Sequence, residues 1–150
     1  MRRILGASLL APFLGLAGAS PVVACSCLPP PPPVIALIGA DAVFEGIVTA
    51  IKLEVKADED PNSISSADLM RVSFRVLRAW KGLETAEAVV FTARDSASCG
   101  YDFEIGVRYL VYASQGRYGL GTGACSRTDR ASGAHEDFRD IGAPKWEAEP

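Results

Sequence analysis

Two cysteines separated by a single serine, Cys25-Ser26-Cys27, follow an apolar leader and precede a run of five prolines, Pro29 to Pro33. No other feature narrows the choice of fold as much. The remaining two of the four cysteines, Cys99 and Cys125, stand far downstream. Arg2 and Arg3 give a positive start, and Ile4 to Ala19 is apolar apart from Ser8. A basic start, a short apolar run and small residues form the pattern of a secretory signal. Gly6, Pro12, Gly15 and Gly18 break the run, which is shorter than the ~20 residues of a membrane-spanning helix. Residues 1–24 are therefore expected to be a signal peptide and residues 25–150 one exported domain without a transmembrane segment. Val22-Val23-Ala24 suits cleavage before Cys25, and Ala17-Gly18-Ala19 offers an earlier site, before Ser20. Val22 to Cys25 also passes as a bacterial lipid-attachment box. Acylating the Cys25 sulfur would, however, leave an odd number of cysteines to pair.

In an exported small domain an even cysteine count reads as two disulfides. A zinc site fits poorly, because there is no CxxC pair and the single histidine, His135, stands apart. A bridge between Cys25 and Cys27 would strain a very small ring. Both are thus expected to reach forward to Cys99 and Cys125, and the residues alone leave open which takes which. Each bridge would close a long loop, worth ~4 kcal/mol in the chain-entropy treatment. Losing Arg2 and Arg3 lowers Lys plus Arg from 15 to 13 against 18 acids, a net charge of about −5. An acidic chain of this kind does not suit nucleic acid, which calls for a basic face.

Proline fixes φ and lacks an N–H, so Pro29 to Pro33 reads as an extended rod of roughly 15 Å that holds the terminus away from the body. Val34 to Gly39 suits a short helix. Ala42 to Val55 reads as a long strand, with period-two alternation in its second half and a bend at Gly46. Lys56 to Asp68, polar and acidic, reads as an exposed loop whose spacing fits no calcium site. Strands are expected at Leu69 to Trp80, Ala88 to Thr92, Val107 to Ala113 and Tyr118 to Cys125, with a turn at Lys81-Gly82. Ser132 is placed to cap a helix from about Gly133 to Ile141, with Glu136 and Asp137 in its first turns. Five short strands with a short N-terminal and a C-terminal helix make an all-β chain with minor α. The arrangement expected is a small Greek-key barrel.

Catalytic chemistry finds little footing. There is no GxSxG, no P-loop and no metal-ligand cluster, so no enzymatic activity and no cofactor is expected. His135 reads as a solvent-facing helical residue.

In ordered segments across the expected mature chain, the sequence resembles the tissue inhibitors of metalloproteinases and the wider group of netrin-like modules. The segments are Cys25-Ser26-Cys27 followed by proline, Ala40 to Gly46, Trp80-Lys81-Gly82, Cys99 to Val111 and Gly123-Ala124-Cys125. The resemblance implies a five-stranded barrel of the oligonucleotide/oligosaccharide-binding type and the pairing Cys25–Cys99 and Cys27–Cys125. It also implies an inhibitory wedge of Cys25, Ser26, Cys27, Leu28 and Pro29. In that wedge the Cys25 α-amine and carbonyl oxygen chelate the catalytic zinc of a target metalloproteinase, and Ser26 enters its specificity pocket. The protein would then be secreted, extracellular or periplasmic, and monomeric. The alternative within the resemblance is a non-inhibitory netrin-like protein-binding module. The chain departs from the animal inhibitors at Ile38 and Gly39, where no cysteine stands for a third disulfide.

Overall fold

The structure is a computed structural model that describes residues 25–57, 59–60 and 62–149. The expected signal peptide, 1–24, lies outside the described residues. Among these the elements run α1 (Pro33–Gly39), β1 (Ala42–Val55), β2 (Leu69–Lys81), β3 (Glu87–Ala93), β4 (Arg108–Gly116), β5 (Gly119–Gly121), β6 (Asp129–Arg130), α2 (His135–Asp140) and β7 (Trp146–Glu147). The chain is mostly β with few helices. Hydrogen-bonded neighbours follow β1-β2-β3-β5-β4, and a β1–β4 pairing closes these five strands into a ring. All ring pairings are antiparallel except the contact of β3 with β5.

β1 organises the ring because its first half is paired on both sides. Ala42 to Ile47 face β4 from Ala113 to Arg108, while β2 runs along the other edge of the strand. Strand side chains alternate between faces, and both faces are buried here. Phe44 and Val48 enter the ring interior with Phe74, Val90, Phe103, Tyr109 and Val111. Phe74 packs edge-on against both Phe44 and Phe103, with 5.3 Å between ring centroids in each pair, a favourable aromatic geometry. The opposite face sends Val43 outward to a second core. There Trp80, Leu110 and Tyr112 meet Ala134 and Ile141, and Ala36, Leu37 and Phe138 of the helices pack against them. The register shift between Glu45 and Gly46 supplies the bend expected at that glycine. Gly82, at φ +74°, makes the turn after β2.

Four expectations need correction. The fifth strand is only Gly119–Gly121 and not Tyr118 to Cys125, because the segment turns at Thr122 to close on Tyr112 and Ser126 through its hydroxyl. The late helix spans His135–Asp140, and Ser132 does not cap it; its N-cap is Ala134, without a side-chain bond. The Lys56 to Asp68 loop ends inward. Asp68 is fully buried and accepts N–H bonds from Ala57 and Ser65 and an ion pair from Arg94 at 3.1 Å. The backbone bond from Ala57 leads the effects that hold the Asp68 carboxyl below its usual range, outweighing the opposing effect of burial. Finally, the proline rod stops one residue early. Pro32 keeps extended angles, but Pro33 is buried as the first residue of α1, where its missing N–H costs nothing.

Candidate functional site

The N-terminal segment lies on the surface and is bonded to the body at both of its cysteines. Cys25 joins Cys99 and Cys27 joins Cys125, and no free cysteine remains. Cys25 is half-buried, whereas Ser26, Cys27, Leu28 and Pro29 are exposed, Leu28 to 87%. The expected wedge therefore forms a continuous surface ridge, exposed from Ser26 to Pro29 and half-buried at Cys25.

Local backbone geometry brings the two receiving cysteines side by side. Cys99 ends a short 3-10 turn, Ser96–Ser98, that Asp95 caps by accepting the Ala97 N–H at 2.9 Å. Cys99 itself has φ +58°, a left-handed conformation that a side chain rarely adopts and that costs of order 1–2 kcal/mol. Gly100 follows under the Ala93 carbonyl, and Gly123 passes under the Cys99 carbonyl; a Cβ on either glycine would collide with backbone oxygen. The close approach at Gly123 lets Ala124 N–H donate to the Cys99 carbonyl at 2.9 Å. The Cys99 and Cys125 segments are thereby locked together. The sulfurs gather as a result: Cys25 Sγ lies 3.8 Å from Cys125 Sγ and 3.9 Å from Cys27 Sγ. Cys25, Cys27 and Cys125 have the separation of a metal cluster. With every sulfur oxidised, none is a thiolate able to ligate a metal. In this bonded state Cys25 also carries no thiol for a lipid.

A second clamp holds the prolines, and nothing in the residue pattern announced it. Arg127 Nη1 donates to the Pro31 carbonyl at 3.1 Å. The same guanidinium binds both oxygens of Asp137 at 2.8 Å and reaches Glu136 at 3.3 Å. Asp137, expected as a helix-start acid, is buried, and it also accepts the Tyr112 hydroxyl at 2.7 Å. Burial works against ionising Asp137, but the Arg127 and Tyr112 hydrogen bonds overcome it and hold the carboxyl below its usual range. Burial, reinforced by Asp137, pushes the Tyr112 phenol well above its ordinary value. The Asp137 hydrogen bond raises Arg127 further still. The prolines therefore lie tied to the body; they do not hold the terminus away from it. Between α1 and this clamp runs a groove of about 320 Å³, lined in part by Pro31, Ile35, Tyr112, Cys125 and Arg127.

His135 is exposed at the start of α2, as the residues suggested, and it stands on a separate cleft shared with Glu45, Arg78 and Arg108. No described helix is long and apolar enough to cross a membrane. Two disulfides and the lack of such a helix are compatible with an extracellular protein. No protein-family model and no curated protein matches the chain.

Proposed function

We propose that the chain is a secreted metalloproteinase inhibitor of the tissue-inhibitor type, working through the backbone of Cys25. The observation that carries this reading is the surface Cys25-Ser26-Cys27 ridge, half-buried at Cys25 and exposed after it, with both cysteines bonded into the body. A catalytic zinc keeps one coordination position open for water. An uncharged α-amine and the carbonyl oxygen of one residue form a five-membered chelate that displaces this water. An α-amine has a reference pKa of about 7.7–8.0, so freeing it for the metal near neutral pH costs little. Oxidation of Cys25 removes its thiolate as a competing ligand. The two disulfides and the Arg127 clamp order the ridge before any encounter, which lowers the entropy lost on binding. Ser26 would enter the target's specificity pocket, with Cys27, Leu28 and Pro29 extending the wedge. The closed strand order, with its one parallel contact between β3 and β5, supports a Greek-key barrel of the oligonucleotide/oligosaccharide-binding type. The active form is a monomer released outside the cytoplasm, with Cys25 as its first residue.

Intact-mass measurement of the exported protein, followed by inhibition assays against a panel of secreted zinc endopeptidases, tests the proposal. Protein starting at Cys25 should inhibit at least one of them. One extra alanine before Cys25, or acetylation of its amine, should weaken inhibition by at least about 100-fold, the loss of a metal chelate, with an unchanged circular dichroism spectrum. Equal inhibition by the extended protein rules the chelate out.

A second reading is a non-inhibitory netrin-like protein-binding module. The apolar side chains that α1 leaves exposed, Val34, Ile35 and Ile38, favour it. On that reading no enzyme of the panel is inhibited, and Ile38→Asp abolishes partner capture while the extension before Cys25 does not.

A further inference from the structure

Glu45 lines a surface cleft of about 420 Å³ that includes none of the cysteines, and is only 2% exposed. Arg78 Nε donates to one of its oxygens, and Arg108 Nη1 donates to the other at 3.2 Å. One guanidinium suffices to neutralise one buried carboxylate, so the pair leaves the cleft with an excess positive charge. Glu45 is the only acid among the lining residues. The rest of the lining combines polar Ser132 and His135 with apolar Val107, Ala131 and Phe138.

Both cations are prepared to bind a further group. The Arg78 guanidinium sits 5.2 Å from the Trp80 ring and 4.9 Å from the Phe138 ring, within cation–π range of both. Arg108 is held through a single Nη1 bond and is about half exposed. Among the described residues the other N–H groups of both guanidiniums have no protein acceptor. A planar fork of N–H donors matches the two oxygens of a carboxylate. Clefts of a few hundred Å³ with an apolar wall and a few fixed polar groups are the usual form of small-ligand sites.

We infer that this cleft, built by Glu45, Arg78, Arg108, Ser132, His135 and Phe138, binds a carboxylate attached to an apolar body. Arg108, with the free edge of Arg78, holds the carboxylate. Phe138 and Val107 take the apolar part, and Ser132 and His135 supply further hydrogen bonds at the rim. A free small acid and the C-terminus of a peptide share this chemistry. The site uses none of the wedge residues, so it stands whether or not the protein inhibits a protease.

The test is a titration of the full mature protein followed by NMR shifts of His135 and Phe138. N-acetyl-leucine should bind, and its uncharged amide should bind at least ~10-fold more weakly, the loss of a charge-assisted fork. Arg108→Gln keeps Glu45 paired with Arg78, so it should leave the spectrum folded and weaken N-acetyl-leucine by ~10-fold. Arg71→Gln, outside the cleft, should change nothing. A pentapeptide ending in leucine then identifies the source. Tighter binding with a free than with an amidated end points to a chain terminus, and binding of the small acid alone points to a free acid. Equal binding of acid and amide overturns the proposal. So does wild-type affinity in Arg108→Gln, or no shift with N-acetyl-leucine at about 20 mM, beyond the millimolar range of weak small-ligand sites.

Discussion

From Ser26 to Pro32 every residue is exposed, and the segment contributes almost nothing to either hydrophobic core. Its position comes from two covalent bonds and one arginine. The Glu45 cleft is made in the opposite way. Its central carboxylate is buried in the strand pairing of β1, its cations lie on the neighbouring strands, and the aromatic rings of Trp80 and Phe138 brace one of them. The ridge is thus ordered without burial, and the cleft is ordered by burial. Disulfides act mainly by restricting the unfolded chain. They can fix an exposed segment that hydrophobic packing has no surface to hold. Ion pairs under aromatic cover depend on charge state and on close packing, so the two regions should fail under different treatments.

The largest effect is expected at the ridge. Replacing Cys27 and Cys125 together by serine opens a bridge spanning 98 residues of sequence. The stability lost should be ~4 kcal/mol, read as a shift in the urea midpoint. Raising the salt concentration should not change this loss. A loss below ~1 kcal/mol would mean that the bridge hardly restricts the unfolded chain.

The cleft should break more gently. Glu45→Gln leaves Arg78 and Arg108 without their shared carboxylate, but both side chains reach solvent. The expected cost is about 2 kcal/mol, near the value of a hydrogen bond to a charged group. Unlike the loss at the ridge, it should shrink as salt screens the two arginines in the variant. A cost independent of salt would place the effect in packing around β1.

Acid adds a finer separation. Asp68 and Asp137 both have carboxyls held below their ordinary values, by the Ala57 backbone bond in one and, against burial, by Arg127 and Tyr112 in the other. A group lowered on folding contributes stability that is fully present above its unfolded pKa, about 3.9. That contribution is lost as pH falls through the lower folded value. Stability should therefore fall below about pH 4. Asp137→Asn should flatten part of the slope and free the prolines from Arg127, measured by urea unfolding at several pH values. Bridges at Cys25 and Cys27 should survive this range unchanged. An unaltered acid slope in Asp137→Asn would remove the Arg127 clamp from the account of the ridge.

The same contrast explains which parts were legible in the residues. β1 and β2 were readable nearly to their ends, because Ile47 to Val55 and Met70 to Val76 alternate in sequence; burial follows that alternation in β2, whereas the first half of β1 is buried throughout and Leu53 and Val55 at its far end are exposed. The helix at Pro33–Gly39 followed from a short apolar run. β5 was overextended because Gly119, Gly121 and Gly123 remove the side chains on which alternation depends, leaving only turn preferences to read. The burial of Asp68 and Asp137 went unread for a related reason, although Asp137 does stand in the first turn of α2 as expected. A buried acid and a solvated acid look identical until their cations, Arg94 and Arg127, arrive from distant segments. Cysteine counting gave two bridges. Counting left the partners open, because the Gly123 approach to the Cys99 carbonyl sets Cys99 and Cys125 side by side, both within reach of the N-terminal pair. Glu45, Arg78 and Arg108 gave no signal, since strand register alone brings them together.

The smallest structural effect, and the sharpest separation of order from burial, is expected at Ser26. Its side chain is exposed and no hydrogen bond holds it among the described residues. Ser26→Gly should change unfolding free energy by no more than ~0.5 kcal/mol, the range of surface substitutions. On the proposed mechanism it should still alter the ranking of inhibited enzymes, because the side chain that fills the specificity pocket is gone while the Cys25 amine and carbonyl remain. Inhibition constants across the zinc endopeptidase panel give the readout. A changed ranking at unchanged stability is what an exposed, covalently ordered ridge should produce. An unchanged ranking would leave Ser26 as a mere spacer between two anchored cysteines and confine recognition to Cys25 and the residues after Cys27.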